Sequence, residues 1–163
     1  MQLYTSEEGV GDPADLVGMI DKSLESDPDN VDLWFGRGRI FYALKNYDES
    51  IASFKKVVEL KPDLFEGNYY LGVFYTIKAD EMNKVMNEKQ YSSQTAYDTD
   101  LKEVNAVYMD AVPWFEKAYE LKKDDVNTLD FLKSICFRLR DEEGMMDKYN
   151  KYNTLLKEAK GEE

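Results

Sequence analysis

The stretch Asn30–Pro62, NVDLWFGRGRIFYALKNYDESIASFKKVVELKP, decides how the rest of the 163-residue chain is read. Asp29 or Asn30 offers an N-cap for a helix running to about Leu44, with Leu33, Trp34, Ile40, Phe41 and Leu44 apolar. Lys45-Asn46-Tyr47-Asp48 makes a turn. A second helix over about residues 47–60 carries Ile51, Phe54, Val57, Val58 and Leu60 before Lys61-Pro62-Asp63 stops it. Both helices are amphipathic at the 3.6-residue period, and both are too short to be stable alone, so their apolar faces must be shared.

The pattern returns downstream. Tyr47, Ser50, Phe54, Val57 and Leu60 recur as Tyr108, Ala111, Phe115, Ala118 and Leu121 at identical spacing, and Val-Glu-Leu-Lys is answered by Tyr-Glu-Leu-Lys. A glycine sits in the helix before each, Gly38 and Gly72. Glycine inside a helix costs about 1 kcal/mol relative to alanine, so its presence predicts that another helix approaches closely there. The small partner positions Ser50, Val57, Ala111 and Ala118 fit that demand.

These residues resemble the tetratricopeptide repeat family, whose unit of about 34 residues packs two antiparallel helices and stacks into a superhelix. The matching positions are Trp34, Gly38, Phe41, Ser50, Phe54, Val57 and Pro62 in the first full unit, where Arg37 stands in place of the usual leucine. Leu71, Gly72, Tyr75, Ala111, Phe115 and Ala118 match in the next, with Lys123 where proline is usual. Asp12 followed by Pro13 starts an earlier helix in which Leu16, Ile20, Ser23 and Pro28 look like the second half of a unit. In the last unit Leu129, Leu132, Cys136, Tyr149 and Tyr152 fit, while Lys133 replaces the glycine and Met145 the small residue. The resemblance implies an all-α fold, a right-handed superhelical array of helix pairs forming a single domain. Its parts are a tail at 1–11, a half unit at 12–28, a full unit at 30–62, a unit with an insertion at 63–123, and a degenerate unit at 125–160. Atypical terminal units are expected of such arrays.

The fourth of these parts is too long. Gly38 precedes Ser50 by 12 residues but Gly72 precedes Ala111 by 39, an excess of about 27 over the family's spacing. Within the insertion, about 79–105, helical apolar spacing holds at Met82, Val85 and Met86 and resumes at Leu101, Val104, Val107 and Tyr108. The pattern predicts an antiparallel helical hairpin tipped by Tyr91–Tyr97, with Asp100 and Glu103 as a capping box on the returning helix. A disordered loop is the alternative. Pro113, inside the returning helix, predicts a kink or restart near Asp110–Pro113.

Composition narrows the chemistry. The formal net charge is -12, from 33 acidic and 21 basic residues, which repels nucleic acid and anionic membranes. No run reaches a membrane-spanning length. The chain therefore reads as soluble, cytoplasmic if complete and exported if a leader was trimmed. Histidine is absent, which removes the commonest general base and imidazole metal sites. The single cysteine, Cys136, lies in an apolar run and reads as a buried small hydrophobe. Asp27, Asp29 and Asp32 lack the glycine and glutamate of a calcium loop; they read as helix-boundary residues, as do Asp124-Asp125 and Asp141-Glu142-Glu143. No glycine-rich phosphate loop is present. No cofactor, metal or catalytic residue is expected.

The resemblance implies that a peptide or partner helix binds in a groove lined by the first helix of each unit. Carried over by position, that groove holds Phe35, Arg39 and Tyr42, then Tyr69, Val73 and Thr76, then Asp130, Ser134 and Phe137. The lysine/asparagine clamp that some relatives use for a partner's C-terminal carboxylate is not matched: Phe35 and Arg39 occupy one pair of its positions and Tyr69 and Val73 the next. A non-catalytic scaffold binding a protein partner is the expected function. Self-association into a homo-oligomer through the terminal units or the hairpin is the alternative, and a carboxylate-dependent enzyme the remote one.

Overall fold

Asp12 accepts the Ala14 N–H at 3.0 Å and Pro13 takes the first helical position, so α1 (Pro13–Ser26) begins where the sequence places it. The computed structural model describes residues 12–162; the tail expected over residues 1–11 lies outside the described residues. Among the described residues every regular element is an α-helix. The described residues form two compact units, one ending at Leu60 and the other beginning at Lys61.

The first unit holds α1, α2 (Val31–Ala43) and α3 (Tyr47–Leu60). Asn30 caps α2 by accepting the Leu33 N–H at 3.1 Å, and the Trp34 indole N–H donates to the Pro28 carbonyl at 2.7 Å, fixing the turn from α1. Lys45 closes the turn into α3 at φ 58°, a left-handed conformation that side chains seldom adopt. Between α2 and α3 the fully buried Phe54 and Val57 form the core. A Cβ built on Gly38 would lie 2.5 Å from Phe54 Cδ2 and Cε2. The glycine therefore makes room for an aromatic ring rather than only for the small positions opposite it. Of those, Ser50 donates its hydroxyl to the Gly38 carbonyl at 2.8 Å. Arg37 replaces the family's leucine with a polar tie across three helices. Its Nε donates to Asp21 of α1 at 2.8 Å and its Nη1 to Glu49 and Ser53 of α3 at 3.0 and 2.8 Å. The guanidinium lies 4.5 Å from the Phe41 ring centre.

The second unit holds α4 (Phe65–Glu88), α5 (Gln94–Leu121), α6 (Val126–Arg138) and α7 (Met145–Lys160). Gly72 admits the Phe115 ring as Gly38 admits Phe54, with a built Cβ at 2.8 Å from ring carbon Cδ2. Phe115 then stacks on Phe131 of α6 at 4.8 Å between ring centres. Asp125 caps α6 through the Thr128 N–H at 2.8 Å. Leu129, Leu132, Cys136, Tyr152 and Leu156 bury the contact between α6 and α7. Glu116 of α5 accepts from Lys148 Nζ and from the Tyr152 hydroxyl, each at 2.8 Å, tying α7 back across the unit.

Residues 79–105 are helical except for the turn between Glu88 and Gln94, so a loop is not what forms there. Ala79, Met86 and Val104 are buried between the two arms, which gives the hairpin an apolar seam of its own. Its tip is a polar knot: Lys89 Nζ and the Tyr91 hydroxyl donate to Asp100 at 2.6 and 2.7 Å, and Tyr91 packs edge-on against Tyr97. Two expectations are corrected. The cap of α5 is Ser93, which accepts the Ala96 N–H at 3.2 Å, so Asp100 lies inside the helix instead of opening a capping box. The helix starts earlier because Ser93 supplies a cap and a Gln94–Asp98 hydrogen bond at 2.8 Å steadies its first turn. Nor does α5 restart at Pro113. It runs unbroken from Gln94 to Leu121, because the buried Val112 and Phe115 on either side hold it against the roughly 3 kcal/mol an interior proline costs.

Candidate binding groove

Thr76 on α4 and Asp130 and Ser134 on α6, three of the positions carried over from the family, line one cavity of about 390 Å³ in the second unit. The spacings explain why. Thr76 and Asp80 are one helical turn apart, as are Asp130, Ser134 and Arg138, so each set follows one face of its helix. Tyr108 of α5 lies between them, and Asn127, Phe131 and Ile135 complete the lining.

The other carried-over residues separate into three kinds. Tyr69 is half-buried against the Phe115 and Phe131 rings, 5.9 and 6.0 Å between centres, and does not line the cavity. Burial, with Asp125 and Tyr70 nearby, pushes its phenol pKa up. Val73 is likewise half-buried. Phe137 is 48% exposed but packs on Tyr149 of α7, 5.1 Å between ring centres, and does not line the cavity. In the first unit Phe35 meets Phe54 edge-on at 4.9 Å, whereas Arg39 and Tyr42 lie exposed on α2.

The cavity contains chemistry that the family positions do not indicate. The Tyr108 hydroxyl donates to Asp80, and burial first, then this bond, pushes the phenol well above its ordinary pKa. It is a fixed proton donor. Arg138 lies with its guanidinium 4.3 Å from the Tyr108 ring centre and donates through Nη2 to Asn83 Oδ1 at 2.7 Å. Its Nε is buried with no hydrogen-bond partner among the described residues. Asp80 and Asn83 both belong to the insertion, so lengthening α4 extends the groove wall as well as building a hairpin. The lengthened α4 was the available signal: a helix continued past Thr76 must place Asp80 next on the same face. Among the described residues no group of three acidic or cysteine side chains could hold a metal, and no helix is long and apolar enough to cross a membrane.

The comparisons agree with this architecture. Residues 38–76 match the model of the TPR repeat family. No curated protein is similar in sequence. Among solved structures, MamA (MSR-1 C2) is 17% identical with a TM-score of 0.56, over 89% of this chain and 68% of that one. A second MamA structure is 21% identical over 93% of this chain and 90% of that one, at a TM-score of 0.40. PilW, a widely conserved type IV pilus biogenesis factor, is 18% identical over 92% and 71%, at a TM-score of 0.37. The first of these likenesses supports the fold, and the other two are too low to argue from. With the matched repeat at residues 38–76, the glycine-admitted phenylalanines and the helix pairs around them, the chain is an all-α helical-repeat protein that contains a segment similar to the TPR repeat.

Proposed function

We propose that the protein is a non-catalytic scaffold that binds a segment of a partner protein in the groove walled by α4 and α6. One observation carries this reading: an open cavity with an aromatic and polar lining between these two helices, at positions where the repeat family presents ligand-contacting side chains. Fixed hydrogen bonds hold Tyr108, Asp80, Asn83 and Arg138 in place, so the wall is preorganised for binding. Selection of binders from a random displayed-peptide library tests it. Selected peptides are expected to lose binding to Ser134→Trp, which fills the cavity from an exposed position, and to keep binding to the control Lys151→Ala on α7. Peptides indifferent to Ser134→Trp would refute the groove.

A second reading, self-association, is favoured by exposed apolar surface on the last helix pair. Phe137 is 48% and Met146 44% exposed, apolar surface that a second copy could cover. Light scattering across concentration distinguishes the two: a monomer at every concentration removes this reading, and dissociation by Phe137→Glu supports it.

A further inference from the structure

Resting on the groove reading above, we infer that the cavity between α4 and α6 selects a basic side chain, a lysine or arginine of the bound segment, with Asp130 as its principal counter-ion. The charges in the cavity are unbalanced. Its lining has two carboxylates, Asp80 and Asp130, against one guanidinium, Arg138, and no ion pair joins any of the three. Arg138 is engaged elsewhere: the Tyr108 ring covers its guanidinium and Asn83 takes one Nη donor. Asp80 is half engaged, accepting from Tyr108 through one oxygen. Asp130 is exposed and forms no ion pair among the described residues. A cation entering the cavity therefore meets carboxylates with unused acceptor capacity, whereas an anion meets two like charges and a guanidinium partly engaged by the Tyr108 ring and Asn83.

The rest of the lining suits the same ligand. Phe131 and Ile135 offer apolar surface to the methylene stem of a lysine or arginine beside the carboxylates, the division of surface such side chains require. The buried Arg138 Nε–H needs an acceptor, which the main-chain carbonyl of an extended segment supplies. A net charge of -12 on the chain adds long-range attraction of the same sign.

The test uses the full chain and three end-blocked peptides with one common leucine- and tyrosine-containing framework, the variable positions all lysine, all glutamine or all glutamate. Affinity is measured by calorimetry, and the site by the amide shifts of residues 127–138. The lysine peptide is expected to bind about tenfold more tightly than the glutamine peptide and to weaken as salt rises. Asp130→Asn should remove most of that preference, and Asp130→Lys should reverse it in favour of glutamate. Binding at the cavity that favours glutamine or glutamate, or a lysine preference indifferent to both Asp130 variants, overturns the inference and leaves the groove standing. If no peptide shifts the cavity amides, the groove reading fails and this inference with it. Asp130 is exposed on α6, so unchanged circular dichroism is expected of both variants.

Discussion

Replacing a helical glycine with alanine usually stabilises a protein, by up to about 1 kcal/mol, and the first unit contains two glycines for which opposite outcomes are expected. At Gly18 on α1 an added Cβ meets nothing within 4 Å, so Gly18→Ala should raise stability by roughly 0.5–1 kcal/mol. At Gly38 the same atom would lie 2.5 Å from two carbons of the Phe54 ring and 3.3 Å from Ser53 Cβ. Carbon pairs are at their best near 3.5–4.0 Å, so the ring must retreat by about 1 Å. It has nowhere to go, being fully buried and edge-packed on Phe35 at 4.9 Å. Overpacking of this kind costs about 1–3 kcal/mol. Set against the helical gain, Gly38→Ala should destabilise by roughly 1–2 kcal/mol. Urea unfolding followed by circular dichroism measures both variants in one cooperative unit. Phe54→Leu removes the offending ring carbons, so Gly38→Ala in that background should cost at least about 1 kcal/mol less than in the parent. A Gly38→Ala protein as stable as the parent, or a cost unchanged by Phe54→Leu, would refute the close-approach argument.

Four further outcomes are expected. Glu116→Ala leaves the Tyr152 hydroxyl, on a side chain only 2% exposed, without its acceptor, and should cost about 1–3 kcal/mol in urea unfolding; Glu116→Gln, which keeps an acceptor oxygen, should cost less. Arg37→Leu restores the family's residue yet should destabilise by about 1 kcal/mol, because half-exposed Asp21 and Glu49 rehydrate while the bond to Ser53 is lost; amide exchange in α1 should quicken. At the hairpin tip the bonds from Lys89 and Tyr91 hold the Asp100 carboxyl below its ordinary pKa. A depressed carboxylate contributes stability above its unfolded pKa and loses it as pH falls through the folded value, so the Tyr91–Tyr97 nuclear Overhauser contacts should persist at pH 7 and fade below about pH 4. Finally, Cys136 is fully buried and burial pushes its thiol up to about 11, so a disulfide reagent at neutral pH should label it only after denaturation.

Much of the fold is legible in the residues because helical repeats are written locally. Asp12-Pro13, Asn30 and Asp125 each cap the helix the sequence assigns to them, since capping is decided within one turn of chain. The same local logic misled at Asp100. Its spacing to Glu103 imitates a capping box, yet an earlier serine caps the helix and frees the carboxylate to bind across the turn. At Pro113 the helix does not restart, because the packing of the buried Val112 and Phe115 offsets the lost hydrogen bond.

The cavity was only partly legible. Thr76, Asp130 and Ser134 line it at the positions carried over from the resemblance, but Tyr69 and Phe137 face neighbouring rings, and nothing in the spacing distinguishes these fates. By itself the sequence determined the helix pairs, their glycine-marked contacts and the existence of an insertion, because each depends on periodicity and on residues a few turns apart. Tertiary structure alone decided that a glycine accommodates a phenylalanine ring, that Arg37 ties three helices, and that the lengthened α4 supplies Asp80 to the cavity lining and Asn83 to hold Arg138. Those contacts join residues between 12 and 55 positions apart. Which partners meet across such distances is fixed by how whole helices pack, and no local pattern encodes it.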